Sequence, residues 1–106
     1  MIGITELLIA LRSLPFPVAH VTFLKPQTPP YLIYLDDSFK ITSANSKKTN
    51  KTVTIQLELY TNLLGTTVDE NTLESILDSF TTYEKSRTYI TSEGINVTYY
   101  TFNMNL

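Results

Sequence analysis

The segment from Thr52 to Thr61 alternates between apolar and polar side chains over almost its whole length. The apolar positions are Val53, Ile55, Leu57 and Leu59. Because a strand turns successive side chains to opposite faces, this pattern predicts a β-strand with one face in a core and the other at least partly in water. We therefore expect this segment to anchor a sheet.

Chain length, net charge and amino-acid composition restrict the class of protein further. A chain of 106 residues has room for one hydrophobic core, so we expect residues 1–106 to form a single domain. The net charge of −2 gives no general attraction to nucleic acid or anionic lipid. The absence of cysteine excludes disulfides and thiolate chemistry. Glu6 and Arg12 interrupt the apolar N-terminal segment, which favours a cytoplasmic protein over an exported one, and no run is long enough to span a membrane.

Two segments show the apolar spacing of an amphipathic helix. The first runs from Ile4 to Leu11, and prolines 15 and 17 follow it. The second begins at Thr67, where the pattern T-x-x-E to Glu70 predicts a capping box, and its stripe continues to Phe80. We expect its acidic residues to form a solvated outer face. These residues are Glu70, Glu74 and Asp78.

Strands are predicted before and after the second helix. Before it, residues 18–24 and 31–37 are rich in β-branched and aromatic side chains and are predicted to be strands. A short strand is predicted at 39–42. Residues 43–51 form a polar stretch that we interpret as a flexible loop. After it, the segments around "TSEG" predict a hairpin with Gly94 in the turn. In the last strand the apolar parity shifts between Tyr99 and Tyr100, which a bulge or a second buried face would explain. The element order predicts an α+β fold, with two helices packed on a mostly antiparallel sheet.

The sequence contains no convincing active site. His20 is the only histidine, so histidine-paired metal and nucleophile schemes are excluded, and a structural or surface role fits it better. Asp36 and Asp37 are adjacent on a strand and should point to opposite faces, which disfavours an acid pair. The three glycines form no phosphate-binding loop. We expect no catalytic, cofactor-binding or metal-binding residue, and we expect that the protein is not an enzyme.

Two segments are candidate surfaces for assembly with other proteins. The polar loop carries a basic cluster of Lys47, Lys48 and Lys51, and the last strand has more apolar residues than one buried face needs. A mobile basic loop without aromatic platforms favours a protein partner over nucleic acid. The candidate interface residues are therefore Lys47, Lys48, Lys51, Tyr100 and Phe102. The alternative is that the extra apolar residues of the last strand pack under the helices.

Several segments resemble a known family. "PPYLIYLDDSF", "QLELYTN", "LESILDSF" and "YEKSRTYITSEGINVTYYTF" are similar to the tail terminator or tail completion proteins of long-tailed bacteriophages and prophages of Gram-positive bacteria. The resemblance covers about residues 29–102. The lysine-, serine- and threonine-rich loop departs from the acidic or aromatic loop that the family implies.

The resemblance implies a structural virion protein without a cofactor. Six copies would form a ring at the head-proximal end of the tail, stop polymerisation of the tail tube and offer a surface for docking the head. Its partners would be other copies of itself, the major tail tube protein and the head-completion or connector protein, with no specific nucleic-acid or membrane binding. It would act in the host cytoplasm during assembly and in the virion afterwards.

Two other functions stay open at this point. The chain could be a small adaptor or regulatory domain that binds a peptide by adding a strand to its sheet edge. It could also be a small enzyme or metal-binding domain that uses His20, Asp36 and Asp37, although further ligands would be required.

Overall fold

The computed structural model describes residues 4–44 and 48–105, without the side chains of Asp37, 42–44 and 48–50. In this part of the chain there are two α-helices and five strands. Their bounds are α1 Ile4–Leu11, β1 Val18–His20, β2 Tyr31–Ala44, β3 Lys48–Asn62, α2 Thr66–Leu77, β4 Glu84–Ile90 and β5 Ile95–Asn105. A short 3₁₀ helix, Thr91–Glu93, joins β4 to β5.

The five strands form one sheet in the order β1-β2-β3-β5-β4. All neighbouring pairs are antiparallel except β1 with β2. The α+β prediction is confirmed. The strand predicted at 18–24 ends at His20, because Val21 takes a positive φ of 69° that strands exclude.

Both helices supply side chains to one core on one face of the sheet. Leu7 and Leu11 of α1 and Leu73 and Leu77 of α2 have no exposed surface. They pack against the inward residues of β2, β3 and β5, which are Leu32, Tyr34, Val53, Ile55, Leu57, Leu59, Tyr100, Phe102 and Met104. The alternation from Val53 to Leu59 is confirmed, since these apolar residues are buried and their neighbours are half-buried. The opposite face of the sheet is covered by neither helix.

The hairpin of β2 and β3 is longer than the sequence predicts. Ser43 and Ala44 belong to β2 and pair with Thr49 and Lys48 of β3, so the prediction of a loop over 43–51 is wrong for its described residues. Residues 45–47 lie outside the described part. The pairing reaches beyond the core, where both faces of the ribbon can meet water. A strand with two wet faces needs no apolar alternation, and β-branched threonines are enough to favour it.

β5 contains no bulge. Its register with β3 runs without a shift from Thr52 opposite Asn105 to Asn62 opposite Ile95. The inward positions simply become polar at Thr98 and Asn96, which are buried all the same, while Val97 is buried on the opposite face. The second of the two explanations for the parity shift, a second buried face, is therefore confirmed at Val97.

The predicted closing hairpin is confirmed, and Gly94 carries its turn with a left-handed φ of 66°. No heavy atom lies within 4 Å of where its Cβ would stand, so any cost of a side chain comes from the backbone.

We expect Gly94→Ala to lower the free energy of unfolding by about 1 kcal/mol, and Gly94→Asn by less, because asparagine tolerates this region. Urea unfolding measures both. Equal stability of the alanine variant and the wild type would contradict the assigned turn.

Candidate assembly surfaces

The end of the β2–β3 hairpin projects as a two-stranded ribbon. We define the arm as residues 39–44 of β2 and 48–53 of β3. Within the described residues, β5 flanks only the base of the arm, and its last described pair joins Asn105 to Thr52. Phe39 and Ile41 are 59% and 64% exposed. Lys51, which pairs with Ile41 across the two strands, is also exposed. Two-stranded hairpins are only marginally stable alone, so exposed apolar side chains on one favour a docking role.

The segment that contains the arm differs in charge from the rest of the chain. Residues 38–51 hold four of the eight basic residues and none of the ten acidic ones, which gives this segment +4 and the remainder −6. Of the predicted interface lysines, Lys51 lies on the arm and is exposed. Lys48 pairs with Ala44 through its backbone, its side chain being outside the described part, and Lys47 lies outside the described residues altogether.

Tyr100 and Phe102 are core residues, so their prediction as interface residues is wrong. Tyr100 has no exposed surface and Phe102 is 4% exposed, because both point under the helices. The Oη of Tyr100 donates a hydrogen bond of 2.7 Å to Glu74 Oε2 of α2. Burial and then this hydrogen bond raise the pKa of Tyr100. The alternative from the sequence, that these residues pack under the helices, is confirmed.

The predicted solvated acidic face is wrong for Glu70, which is buried, whereas Glu74 is half-buried and Asp78 is exposed. The side chain of Glu70 is 2% exposed and points at the sheet. Arg87 of β4 donates to it through Nε at 2.8 Å and also through Nη2, and Thr98 of β5 donates through Oγ1 at 2.5 Å. Lys85 Nζ lies 3.1 Å from Glu70 Oε1 and 2.7 Å from Glu74 Oε2. This Glu70 network ties α2 to β4 and β5.

The predicted capping box at Thr67 is also absent. α2 begins at Thr66 behind Gly65, which makes no side-chain cap hydrogen bond. Glu70 cannot cap the helix because its carboxylate is engaged by Arg87 and Thr98. A signal for this was present in the sequence. Glu70 stands three residues before Leu73 and seven before Leu77, which places it on the apolar stripe.

The network holds Glu70 ionised. Burial alone would raise its pKa, but hydrogen bonds from Arg87, Thr98 and Lys85 outweigh burial and lower the pKa to about 2. For Lys85, burial opposes the charge, yet the bonds to Glu74 and Glu70 raise its pKa. Every carboxylate in this network has a donor, so the arrangement is that of a structural clamp between helix and sheet.

The uncovered side of the sheet, which we call the open face, carries aromatic residues around one carboxylate. Tyr31 and Tyr60 stack with ring centroids 4.6 Å apart, and Phe23 meets Tyr31 edge-on at 5.6 Å. Glu58 lies between Ile33 and Tyr99, its partners on the two neighbouring strands. It accepts a hydrogen bond of 2.8 Å from Tyr60 Oη. Among the ion pairs of the described residues, none involves Glu58.

A hollow of about 290 Å³ borders the open face. The segment from Thr22 to Gln27 forms one wall, and Tyr31 and Ile33 of β2 form the other. The sequence did not single out Glu58, Phe39 or Ile41. The apolar side chains at both parities of 31–35 predict an interior strand, and this prediction is confirmed because β2 lies between β1 and β3.

Of the three residues in the enzyme hypothesis, the structure shows a contact only between His20 and Asp36. His20 Nε2 lies 2.6 Å from Asp36 Oδ1, and the imidazole stacks on Tyr34 at 4.7 Å. Both polar side chains are partly exposed, and the Asp37 side chain is not described. In the described part of the chain, no three His, Cys, Asp or Glu residues are placed to hold a metal ion. His20 and Asp36 thus make a local contact between β1 and β2.

β4 is the other surface open to a partner. It is an edge strand of the sheet, and its residues from Glu84 to Tyr89 are exposed. Its inward side chains, Lys85 and Arg87, are engaged by the Glu70 network. The helices of the described residues include none that is long and apolar enough to cross a membrane.

Comparisons of the sequence with protein-family models and with curated proteins give no match to either.

Proposed function

We propose that this chain is a structural assembly protein of a long-tailed bacteriophage, a tail terminator that forms a ring at the head-proximal end of the tail tube. In this role it stops polymerisation of the tube and provides the surface on which the head docks. The segments that resemble the terminator family coincide with the sheet and α2, which form the body of the subunit.

One observation carries this proposal beyond the resemblance. The subunit has two unlike surfaces, a basic arm with exposed Phe39 and Ile41 and an open face with tyrosines around Glu58. Rings of identical subunits are built from head-to-tail contacts, in which one patch matches a different patch on the neighbour. A subunit with two different and complementary patches meets that requirement, whereas a symmetric dimer needs only one.

The location of the chain in virions tests the proposal. A short epitope tag at the C-terminus, detected with gold-conjugated antibody by electron microscopy, is expected to label the junction between head and tail. The tag should leave infectivity unchanged, and untagged virions serve as the control. Labelling at the far tip of the tail, or absence of the chain from purified virions, would contradict the proposal.

A second candidate is a peptide-binding adaptor, favoured by the exposed edge of β4. An added strand would hydrogen-bond to the free backbone groups of this edge. The two functions differ in their location, because an adaptor would be absent from the virion. A peptide that binds the free protein and shifts the amide NMR signals of β4, combined with unlabelled virions, would support the adaptor.

A further inference from the structure

We infer that the arm of one copy docks on the open face of the next copy, with Phe39 entering the hollow beside Ile33 and Lys51 meeting Glu58. This contact rests on the proposed ring and names the two surfaces that would form it. The occupant of the open face is therefore a second copy of this chain.

The spacing of the groups supports the match. Phe39 and Ile41 lie on one strand of the arm, and Lys51 lies directly opposite Ile41 on the other strand, so all three share one side of the ribbon. On the open face, Ile33 lies on one strand and Glu58 directly opposite it on the next. Ile41 and Lys51 on the arm, and Ile33 and Glu58 on the open face, are therefore each separated by one strand spacing, about 4.8 Å. With Lys51 at Glu58, Ile41 would lie over Ile33, and Phe39, two residues along the same strand, would reach the hollow beside it.

Charge favours a second copy as the occupant. The charged residues of the segment 38–51 are all basic, whereas the rest of the chain has a net charge of −6. Glu58 has neutral hydrogen-bonding neighbours in Tyr60 and Gln56, so an incoming Lys51 would supply the cation it lacks among the described residues. A body with the same sign as the arm would repel it, and this body has the opposite sign.

The area involved predicts a weak contact between two isolated copies. Six residues of ribbon are about 20 Å long, so one side of the arm covers far less than the roughly 800 Å² per partner of a standard interface. Because the two surfaces differ, every copy can bind a neighbour at each end, and closure of a ring makes the last contact intramolecular. We therefore test the contact by covalent trapping and not by the mass of the free protein.

The chain has no cysteine, so disulfide trapping has no background. A variant with Lys51→Cys and Glu58→Cys carries one thiol on each proposed surface. Under mild oxidation we expect a ladder of dimers, trimers and larger species on a non-reducing gel, at least about tenfold more abundant than in the control, because docking raises the effective thiol concentration. The control combines Lys51→Cys with Ser75→Cys, which is exposed on α2. Circular dichroism checks that both variants are folded.

A ladder no stronger than the control, or dimers alone, would overturn the inference, since dimers alone indicate a symmetric contact. Retardation of duplex DNA by the wild-type protein at physiological salt, without a ladder, would also overturn it and assign the arm to nucleic acid. The result is separate from the virion test. A ladder with unlabelled virions would keep the contact and remove the proposed function, whereas labelled virions without a ladder would remove only the contact.

Discussion

Tyr100→Ala is expected to lower the free energy of unfolding by about 3–5 kcal/mol, the range for truncating a large aromatic residue in a core. Tyr100 is fully buried, meets Tyr83 edge-on at 5.5 Å and donates to Glu74. Since domains of this size are stable by only about 5–15 kcal/mol, this loss is a large fraction of the total stability. Urea unfolding followed by circular dichroism measures the difference.

The adjacent Tyr99 provides a matched control. It has the same side chain but lies on the open face and is half-buried, so Tyr99→Ala should cost roughly 1 kcal/mol. Tyr100→Phe keeps the ring and loses only the hydrogen bond to the Glu74 carboxylate, for which we expect about 1.5 kcal/mol. If Tyr99→Ala and Tyr100→Ala cost the same, the assignment of the two faces of β5 would be wrong.

Glu70→Gln is expected to cost about 2–3 kcal/mol at pH 7, because an acceptor of charge-assisted hydrogen bonds is replaced by an amide that presents its own N–H groups to Arg87 and Thr98. The cost should depend on pH. The pKa of Glu70 falls from an ordinary value of 4.5 to about 2 in the folded protein. Its stabilisation is therefore complete above pH 4.5 and is lost as the pH falls from 4.5 through about 2.

The measurement is the difference in unfolding free energy between wild type and Glu70→Gln at several pH values from 2 to 7. We expect this difference to shrink steadily below pH 4.5. Glu84→Gln, at an exposed position on the edge strand β4, should differ from wild type by less than about 0.5 kcal/mol. A Glu70 difference that is the same at pH 2 and pH 7 would contradict an ionised, clamped carboxylate.

The elements that were predictable from the sequence are those in which local pattern and burial agree. The alternation of Val53 to Leu59 and the apolar stripe of Leu73 and Leu77 each indicate one buried face, and both faces are buried in the structure. The turn at Gly94 was predictable because a left-handed residue favours glycine. Local pattern was sufficient in these cases, since it depends only on neighbours along the chain.

The errors arise where distant residues decide the environment. The charge of Glu70 favours a position in water, but Arg87 and Lys85, from a strand more than ten residues away, stabilise its buried carboxylate. Residues 43–51 lack apolar alternation because this end of the hairpin extends past the core, so pattern alone could not distinguish it from a loop. The open face, too, becomes visible only once strand order places Ile33, Glu58 and Tyr99 side by side.

The length of tails in lysates that lack this chain tests the central claim most directly. Deletion of its gene from the phage, followed by negative-stain electron microscopy, is predicted to give filled heads beside abnormally long, unattached tubes, because polymerisation has lost its stop. Supplying the wild-type chain from a plasmid should restore the normal length. Free tails of normal length, or intact infectious particles, would contradict a tail terminator.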